Sequence, residues 1–270
     1  MSATKKVPET KYALILGSSS GFGAATAIRL AKEGFHIFGV HLDRRATMPM
    51  VEDVISKIKS FGSQAVFYNT NAADEQKIKD ISADIRQKIP QGNYIRVLLH
   101  SLAFGTLKPF IDKEEANTLN RTNINMTLDV MANSLIYWVQ ELFWKKLLGY
   151  GSRIFAMTSH GSTKVVPHYG AVSAAKAALE SYIRQLALEM NQFGVTANAI
   201  KAGVTDTPAL RKIPGNERMI EIALGRNPAN RLTTPEDVAD AIVALSNINA
   251  QWINGDVISV DNAENVIDTK

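Results

Sequence analysis

Three side chains in the second half of the chain are suited to donating or holding a proton: Tyr169, Lys176 and Ser159. Tyr169 and Lys176 stand seven residues apart. At about 100° per residue, seven helical positions return a side chain to within about 20° of its starting direction. The two share a face if a helix begins before Tyr169, and Pro167 places the tyrosine in its first turn. A phenolic hydroxyl there can donate a proton or a hydrogen bond to an oxygen on which charge develops. A nearby ammonium favours its ionised form and makes it a better acid. The alternative for Tyr169 is a helix-start aromatic that only packs. Ser159, in Thr158-Ser159-His160-Gly161-Ser162, follows a β-rich run, where polar groups face a ligand crevice or cap a turn.

A second constellation lies near the start. Gly17-Ser18-Ser19-Ser20-Gly21-Phe22-Gly23 connects an apolar run to Ala24-Ala25-Thr26-Ala27-Ile28. Glycines so spaced let the backbone turn tightly and approach a pyrophosphate, and the following helix aims free N–H groups and its positive end at the phosphates. The same residues match G-x-S-x-G, the nucleophile elbow of α/β-hydrolases. That elbow needs an oxyanion loop from an earlier strand, and none precedes Tyr12. The end of the next strand reads the dinucleotide: an acid bonds the ribose hydroxyls of NAD, an arginine accommodates the phosphate of NADP. The usual acid slot in Val40-His41-Leu42-Asp43-Arg44-Arg45 falls on His41, and Arg44 and Arg45 follow, so NADP(H) is favoured over NAD(H) unless both are solvated loop charges.

These residues need a scaffold. Strands are expected over 12–16, 36–42, 64–68, 95–99, 153–157, 195–200 and 256–260. Helices are expected over 23–32, 51–61, 74–88, 123–148, 169–192 and 235–246. That alternation predicts an α/β fold, a single Rossmann-type doubly wound parallel sheet of about seven strands with helices on both faces. The continuous apolar runs Ala13-Leu14-Ile15-Leu16 and Val97-Leu98-Leu99 suit strands buried on both faces. Thr234-Pro235-Glu236-Asp237 reads as a capped helix start, and Gly34 as a left-handed helix stop. Residues 1–11 are expected to be a flexible tail and 12–270 one dinucleotide-binding and catalytic domain. Residues 203–233, with three prolines and weak periodicity, are expected to be a substrate lid.

Composition narrows the function classes. The 270 residues include no cysteine, which removes disulfides, thiolate catalysis and cysteine metal sites. The five histidines show no paired helical spacing, so no metal site is expected; His100 reads as a turn residue near the adenosine. The net charge of +4 is spread along the chain and reads as solubility, with no nucleic-acid footprint. No apolar run is long enough for a membrane span and no secretory signal is evident, so a cytoplasmic enzyme is expected.

Taken together the motifs resemble the short-chain dehydrogenase/reductase superfamily over residues 12–261. The features that carry the resemblance are the Gly17/Gly21/Gly23 turn, Asn71, Asn125, Ser159, the Tyr/Lys pair, and Asn198-Ala199-Ile200-Lys201-Ala202-Gly203-Val204-Thr205-Asp206-Thr207. Most of that superfamily has Tyr-x3-Lys, a slot that here holds Val172, whereas Tyr169 gives Tyr-x6-Lys. An Asn-Asn-Ala-Gly turn is replaced by His100-Ser101-Leu102-Ala103-Phe104-Gly105. Both departures are similar to the enoyl-acyl carrier protein reductases, in particular their NADPH-using branch. Two further departures are Ser159, where those enzymes often carry a second aromatic, and Val260-Asp261-Asn262-Ala263 in place of an Asp-Gly-Gly turn.

The resemblance implies hydride transfer to an α,β-unsaturated thioester, with Tyr169 stabilising the enolate, Lys176 holding the nicotinamide ribose, Ser159 on the substrate oxygen and Asn125 as a helix-distorting, water-holding residue. It implies a dinucleotide site of Gly17, Ser19, Ser20, Gly21, Phe22, Gly23, His41, Arg44, Arg45, Asn71, Ser101, Lys176, Gly203, Thr205 and Thr207. It implies a small-molecule or acyl-carrier-bound substrate and a homo-dimer or homo-tetramer, with Trp138 and Trp144 in the core or on a pairing face. A carbonyl or alcohol oxidoreductase and a non-catalytic dinucleotide-binding protein are the alternatives on the same scaffold.

Overall fold

The computed structural model describes residues 7–268; most of the expected N-terminal tail, residues 1–6, lies outside them. The elements run in the order β1 (Lys11–Leu16), α1 (Gly21–Lys32), β2 (Phe35–His41), α2 (Met48–Ser60), β3 (Ala65–Asn69), α3 (Glu75–Lys88) and β4 (Ile95–His100). They continue with α4 (Arg121–Leu128), α5 (Ser134–Trp144), β5 (Arg153–Thr158), α6 (Gly170–Asn191), β6 (Thr196–Ala202), α7 (Asn216–Arg226), α8 (Pro235–Leu245) and β7 (Val257–Val260). All seven strands join one sheet in the order β3-β2-β1-β4-β5-β6-β7, every pairing parallel.

The apolar runs have a physical cause. Successive strand residues point to opposite faces, and both faces of this sheet are covered. Leu14 and Leu16 pack with Ile78, Ile81 and Ile85 of α3, Leu135 and Trp138 of α5, and Leu179 of α6. Ala13 and Ile15 pack with Ala27 and Leu30 of α1, Val54 of α2, and Val238 and Ile242 of α8. The strand order reverses between β1 and β4, the place where open α/β sheets form a ligand crevice at the carboxyl ends of their strands.

Several element boundaries follow local chemistry. Thr234 Oγ1 accepts from the Asp237 N–H at 3.2 Å, and the Asp237 carboxylate accepts from the Thr234 N–H at 2.8 Å, the reciprocal cap expected for α8. Gly34, at φ +82°, follows α1 as expected. The single helix expected over 123–148 is instead two. It starts earlier because Asn120 caps the Asn123 N–H at 2.9 Å. A π-helical turn, Asp129–Asn133, then separates α4 from α5. It ends at Trp144 because Lys146 turns left-handed at φ +56°. Residues 203–233 are not irregular throughout, since α7 lies within them; its periodicity is masked by flanking prolines and by a single buried position, Ala223. Trp138 is core, its indole N–H bonded to the Ala72 carbonyl at 2.8 Å, whereas Trp144 is exposed. No helix among the described residues is long and apolar enough to cross a membrane, and no cluster of three or more metal-ligating groups occurs among them.

Candidate active site

The glycine turn sits at the carboxyl end of β1, in the crevice. Gly17 has φ +88°, and a Cβ there would lie 2.4 Å from the Ser101 carbonyl oxygen; a Cβ on Gly23 would lie 2.0 Å from the Gly17 carbonyl oxygen. Both positions therefore exclude a side chain. Gly21, at φ +54°, opens α1, and the Thr207 methyl would be 3.6 Å from its Cβ. Ser20 is the N-cap but makes no side-chain cap, and the first turn of α1 holds no acid. The amino end of α1 thus presents unpaired N–H donors and an uncompensated positive end in a cradle cleared of side chains, which fits a dinucleotide pyrophosphate. A Gly23→Ala change is expected to weaken dinucleotide binding by at least about tenfold and to lower the melting temperature, because a contact of this closeness cannot relax without moving the turn; calorimetric titration and thermal unfolding read both.

The other sequence-predicted cofactor residues fall into two groups. Ser101 extends β4, its N–H bonded to the Leu16 carbonyl at 2.9 Å, and abuts Gly17. Phe22 packs beside the core under α1. Gly203 continues β6 towards Val260, Thr205 Oγ1 donates to the Gly203 carbonyl at 2.9 Å, and Thr207 lies over Gly21. Ser101 and Thr207 flank the turn, whereas Gly203 and Thr205 stand beyond the end of β6. Arg44 and Arg45 are exposed beyond β2 and make no ion pair among the described residues. Asn71 is exposed, its side-chain oxygen accepting from the Ala73 N–H at 3.0 Å.

Counting from the strand alone misplaced the acid at the end of β2. His41 is its last residue and is buried, but Asp43 turns back to it, with its carboxylate 3.0 Å from His41 Nδ1. Burial pushes the Asp43 carboxyl up, yet hydrogen bonds from Ser19, Thr47 and His41 together outweigh that and hold it below the usual carboxylate range. An acid therefore stands against the glycine turn, which the strand count did not show.

The catalytic candidates converge at the carboxyl end of β5. Ser159 Oγ and the Tyr169 hydroxyl are 3.5 Å apart. Lys176 is buried; its ammonium donates to the Met157 carbonyl at 2.7 Å and reaches the Leu102 carbonyl at 3.5 Å. Tyr169 is the N-cap residue of α6, one position before the helix expected to contain it, and follows His168 at φ +62°. Its ring packs against Gly161, where a Cβ would come within 2.5 Å of it. Burial raises the Tyr169 pKa and the Ser159 hydrogen bond only partly opposes this, so the hydroxyl keeps its proton. The expected lowering by Lys176 is not seen: burial dominates, and the ammonium is engaged by backbone carbonyls.

Lys176 itself is pushed down to about 8 by burial, with Glu180 opposing. Glu180, one helical turn beyond, accepts from Thr158 Oγ1 at 2.5 Å; its i,i+4 spacing from Lys176 was the available signal. Asn125 is not brought to this cluster. It is exposed on α4, and its carbonyl accepts from the Asp129 N–H that begins the π turn. His100 is no turn residue either. It ends β4 fully buried, Nε2 is 2.9 Å from Ser134 Oγ, and burial followed by the Lys176 charge pushes its pKa down to about 3, so it is neutral.

Known proteins share this fold and identify its family. The chain is 32% identical over 262 residues to the NADH-named enoyl-[acyl-carrier-protein] reductase of Aquifex aeolicus, covering 96% of this chain and 93% of that one. It is 23% identical to the 1-cyclohexenylcarbonyl-CoA reductase of Streptomyces collinus, covering 95% and 88%. The crystal structure of the Aquifex aeolicus enzyme superposes with a TM-score of 0.83 at 28% identity, covering 96% of this chain and 98% of that one. This is an oxidoreductase scaffold that takes a nicotinamide dinucleotide and acts on small molecules. A family model described as Enoyl-(Acyl carrier protein) reductase matches residues 17–262, and the chain belongs to that family of short-chain dehydrogenases/reductases.

Proposed function

We propose that this protein reduces the carbon–carbon double bond of an enoyl thioester, with NADPH preferred as reductant. The observation that carries the reading is the position of the hydroxyl. The slot four residues before Lys176 holds Val172, buried and pressed against Gly105, where a Cβ would lie 2.6 Å from the valine methyl. The tyrosine hydroxyl instead stands at the amino end of α6 beside Ser159. In carbonyl reduction, hydride lands on the carbon that bears the oxygen. In enoyl reduction it lands two atoms away, so the oxygen must be met farther from the hydride source, as a displaced hydroxyl does.

The dinucleotide, when bound, supplies the hydride. Tyr169 donates a hydrogen bond to the thioester oxygen as negative charge builds on it. The enolate then takes a proton from solvent at its α-carbon, so one hydride and one proton saturate the bond. Lys176, fixed by the Met157 and Leu102 carbonyls, presents a cation to the ribose and phosphate side of the crevice. Residues 203–233, including α7, cover the substrate as a lid of the one domain formed by 12–270. Arg44 and Arg45, exposed just beyond Asp43, are the groups available to a 2′-phosphate, while the Asp43 carboxylate is engaged by Ser19, Thr47 and His41. The exposed Tyr137 and Trp144 of α5 and Leu188 of α6 suit cover by a second copy of the chain in a cytoplasmic homo-oligomer.

The test is to follow loss of reduced nicotinamide absorbance with a trans-2-enoyl thioester, NADPH and NADH in parallel. Turnover is expected with NADPH, and Arg44→Ala with Arg45→Ala together should raise KM for NADPH about tenfold or more while leaving that for NADH within about twofold. Turnover with NADH alone, unaltered by the double change, would reverse the cofactor preference. A second reading, carbonyl reduction, is favoured by the 3.5 Å separation of Ser159 Oγ and the Tyr169 hydroxyl, which lets both meet one carbonyl oxygen. Faster turnover of a β-ketoacyl thioester than of the enoyl thioester would establish it instead.

A further inference from the structure

Beyond the last strand the chain passes behind the crevice in a turn that one of its residues, Ala263, resists. After β7 it runs through Asn262 and Ala263 at φ +46° and +64°. Asparagine tolerates this left-handed region, but at Ala263 the Cβ makes it costly. Such a conformation persists only where the surroundings fix it. What the turn delivers is Glu264. Its N–H is bonded to the Asp261 carbonyl at 3.0 Å, and the residue is 4% exposed. Both carboxylate oxygens lie 3.2 Å from the Val204 N–H. A Cβ on Gly203 would be 2.8 Å from Oε2, so the carboxylate is pressed on the peptide joining Gly203 to Val204.

The same turn ties two other walls. Asn262 donates to Asn227 at 2.9 Å in the segment after α7. Asn265 donates to the Asp261 carboxylate at 2.7 Å and accepts from Lys164, beyond the Ser159 turn, at 3.3 Å.

Residues 203–207 run between the two halves of the crevice. At one end Lys201 pairs with Thr158, next to Ser159; at the other the Thr207 methyl covers Gly21. The Gly203–Val204 peptide is therefore on the catalytic side and Thr207 on the phosphate side. We propose that Glu264 is a positioning residue for the reactive half of the dinucleotide: it fixes the Gly203–Val204 peptide, and through it the backbone wall that the nicotinamide half meets. The proposal rests on the reading of the crevice as a dinucleotide site. It leaves the adenosine half, between the glycine turn and Asp43, untouched.

The experiment is a fluorescence titration of the parent, E264A, E264D and E264Q proteins with NADPH and with 2′-phospho-ADP-ribose, which lacks the nicotinamide; NADH and ADP-ribose replace them if the parent prefers NADH. E264A is expected to bind the dinucleotide about tenfold or more weakly and the fragment within about twofold of the parent. E264D, whose carboxylate is withdrawn by one methylene, should show the same selective loss even if E264A fails to fold. E264Q, which keeps an oxygen for the Val204 N–H, should recover most of the affinity. In turnover the loss should appear in KM for the dinucleotide, with kcat at saturation nearly kept. Equal weakening of dinucleotide and fragment, or an unchanged Kd in both E264A and E264D, would overturn the proposal alone. A parent that binds neither dinucleotide would remove the cofactor reading and this inference with it.

Discussion

Replacing Tyr169 by Phe is expected to lower kcat for the enoyl thioester by about 10²- to 10⁴-fold, the range of a general acid or oxyanion donor, while leaving the dinucleotide Kd unchanged. The change removes one oxygen. The ring stays against Gly161 and beside the core, so folding stability should move by no more than the worth of one long hydrogen bond, about 1 kcal/mol. What is lost is a donor that burial keeps protonated, held 3.5 Å from the Ser159 hydroxyl. Ser159 alone cannot replace it, because it offers a second contact to the same oxygen from the strand side and no displaced one. Steady-state kinetics with a direct binding measurement separate the possibilities. If kcat falls by less than about threefold, Tyr169 is a packing residue and the proton donor lies elsewhere.

The second large effect couples stability to activity. Burial lowers the Lys176 pKa from 10.5 to about 8, a shift worth about 3 kcal/mol at most. Between those values the unfolded chain binds more protons than the folded one, so stability rises with pH across that window. The penalty is complete below about pH 8 and absent above about 10.5. Lys176→Met should therefore stabilise the cofactor-free protein at pH 7 by about 1–3 kcal/mol and flatten the rise between pH 8 and 10.5, the lost bond to the Met157 carbonyl offsetting part of the gain. Activity should fall at least about 100-fold in the same variant. Urea unfolding at pH 7 and near pH 10 measures the first effect, and turnover the second. A variant destabilised at pH 7 would mean that the ammonium's carbonyl bonds outweigh its desolvation.

The difference between what the residues announced and what only the fold discloses has physical reasons. Strands β1 and β4 were legible because burial on both faces demands unbroken apolar runs, and the start of α8 because its cap is local, Thr234 to Asp237. The glycine turn was legible since its constraint, a backbone without room for Cβ, is written in residue type. Ser159, Tyr169 and Lys176 were picked out by the family resemblance, with the seven-residue spacing of the last two in its support, and the chain sets Ser159 beside Tyr169 and Lys176 on the Met157 carbonyl. Asp43 was missed because its partner Ser19 lies on the preceding connection, so no local pattern reports their meeting. His100 was misread because a histidine at a strand end reads as polar, whereas the chain buries it against Ser134 of α5. The π turn leaves no mark in composition, for it is one extra residue in a helical ladder; Ser134 and Tyr182 bond to Val130 and Asn133 within it. Glu264 acts at the far end of the chain from the turn that drew notice.

The position of β1 in the middle of the sheet bears on how the protein must be made. Of the seven strands it is synthesised first, and β2 and β3 can pair on one side of it as soon as they emerge, but its other neighbour is β4, which begins only at Ile95. Until then the edge formed by Ala13–Leu16, fully buried in the finished protein, offers unpaired backbone and apolar side chains to any passing strand. A nascent chain stalled anywhere between residues 70 and 94 carries that edge bare. Such an edge favours aggregation, so slow codons placed in that stretch, which alter no amino acid, are expected to lower the soluble yield.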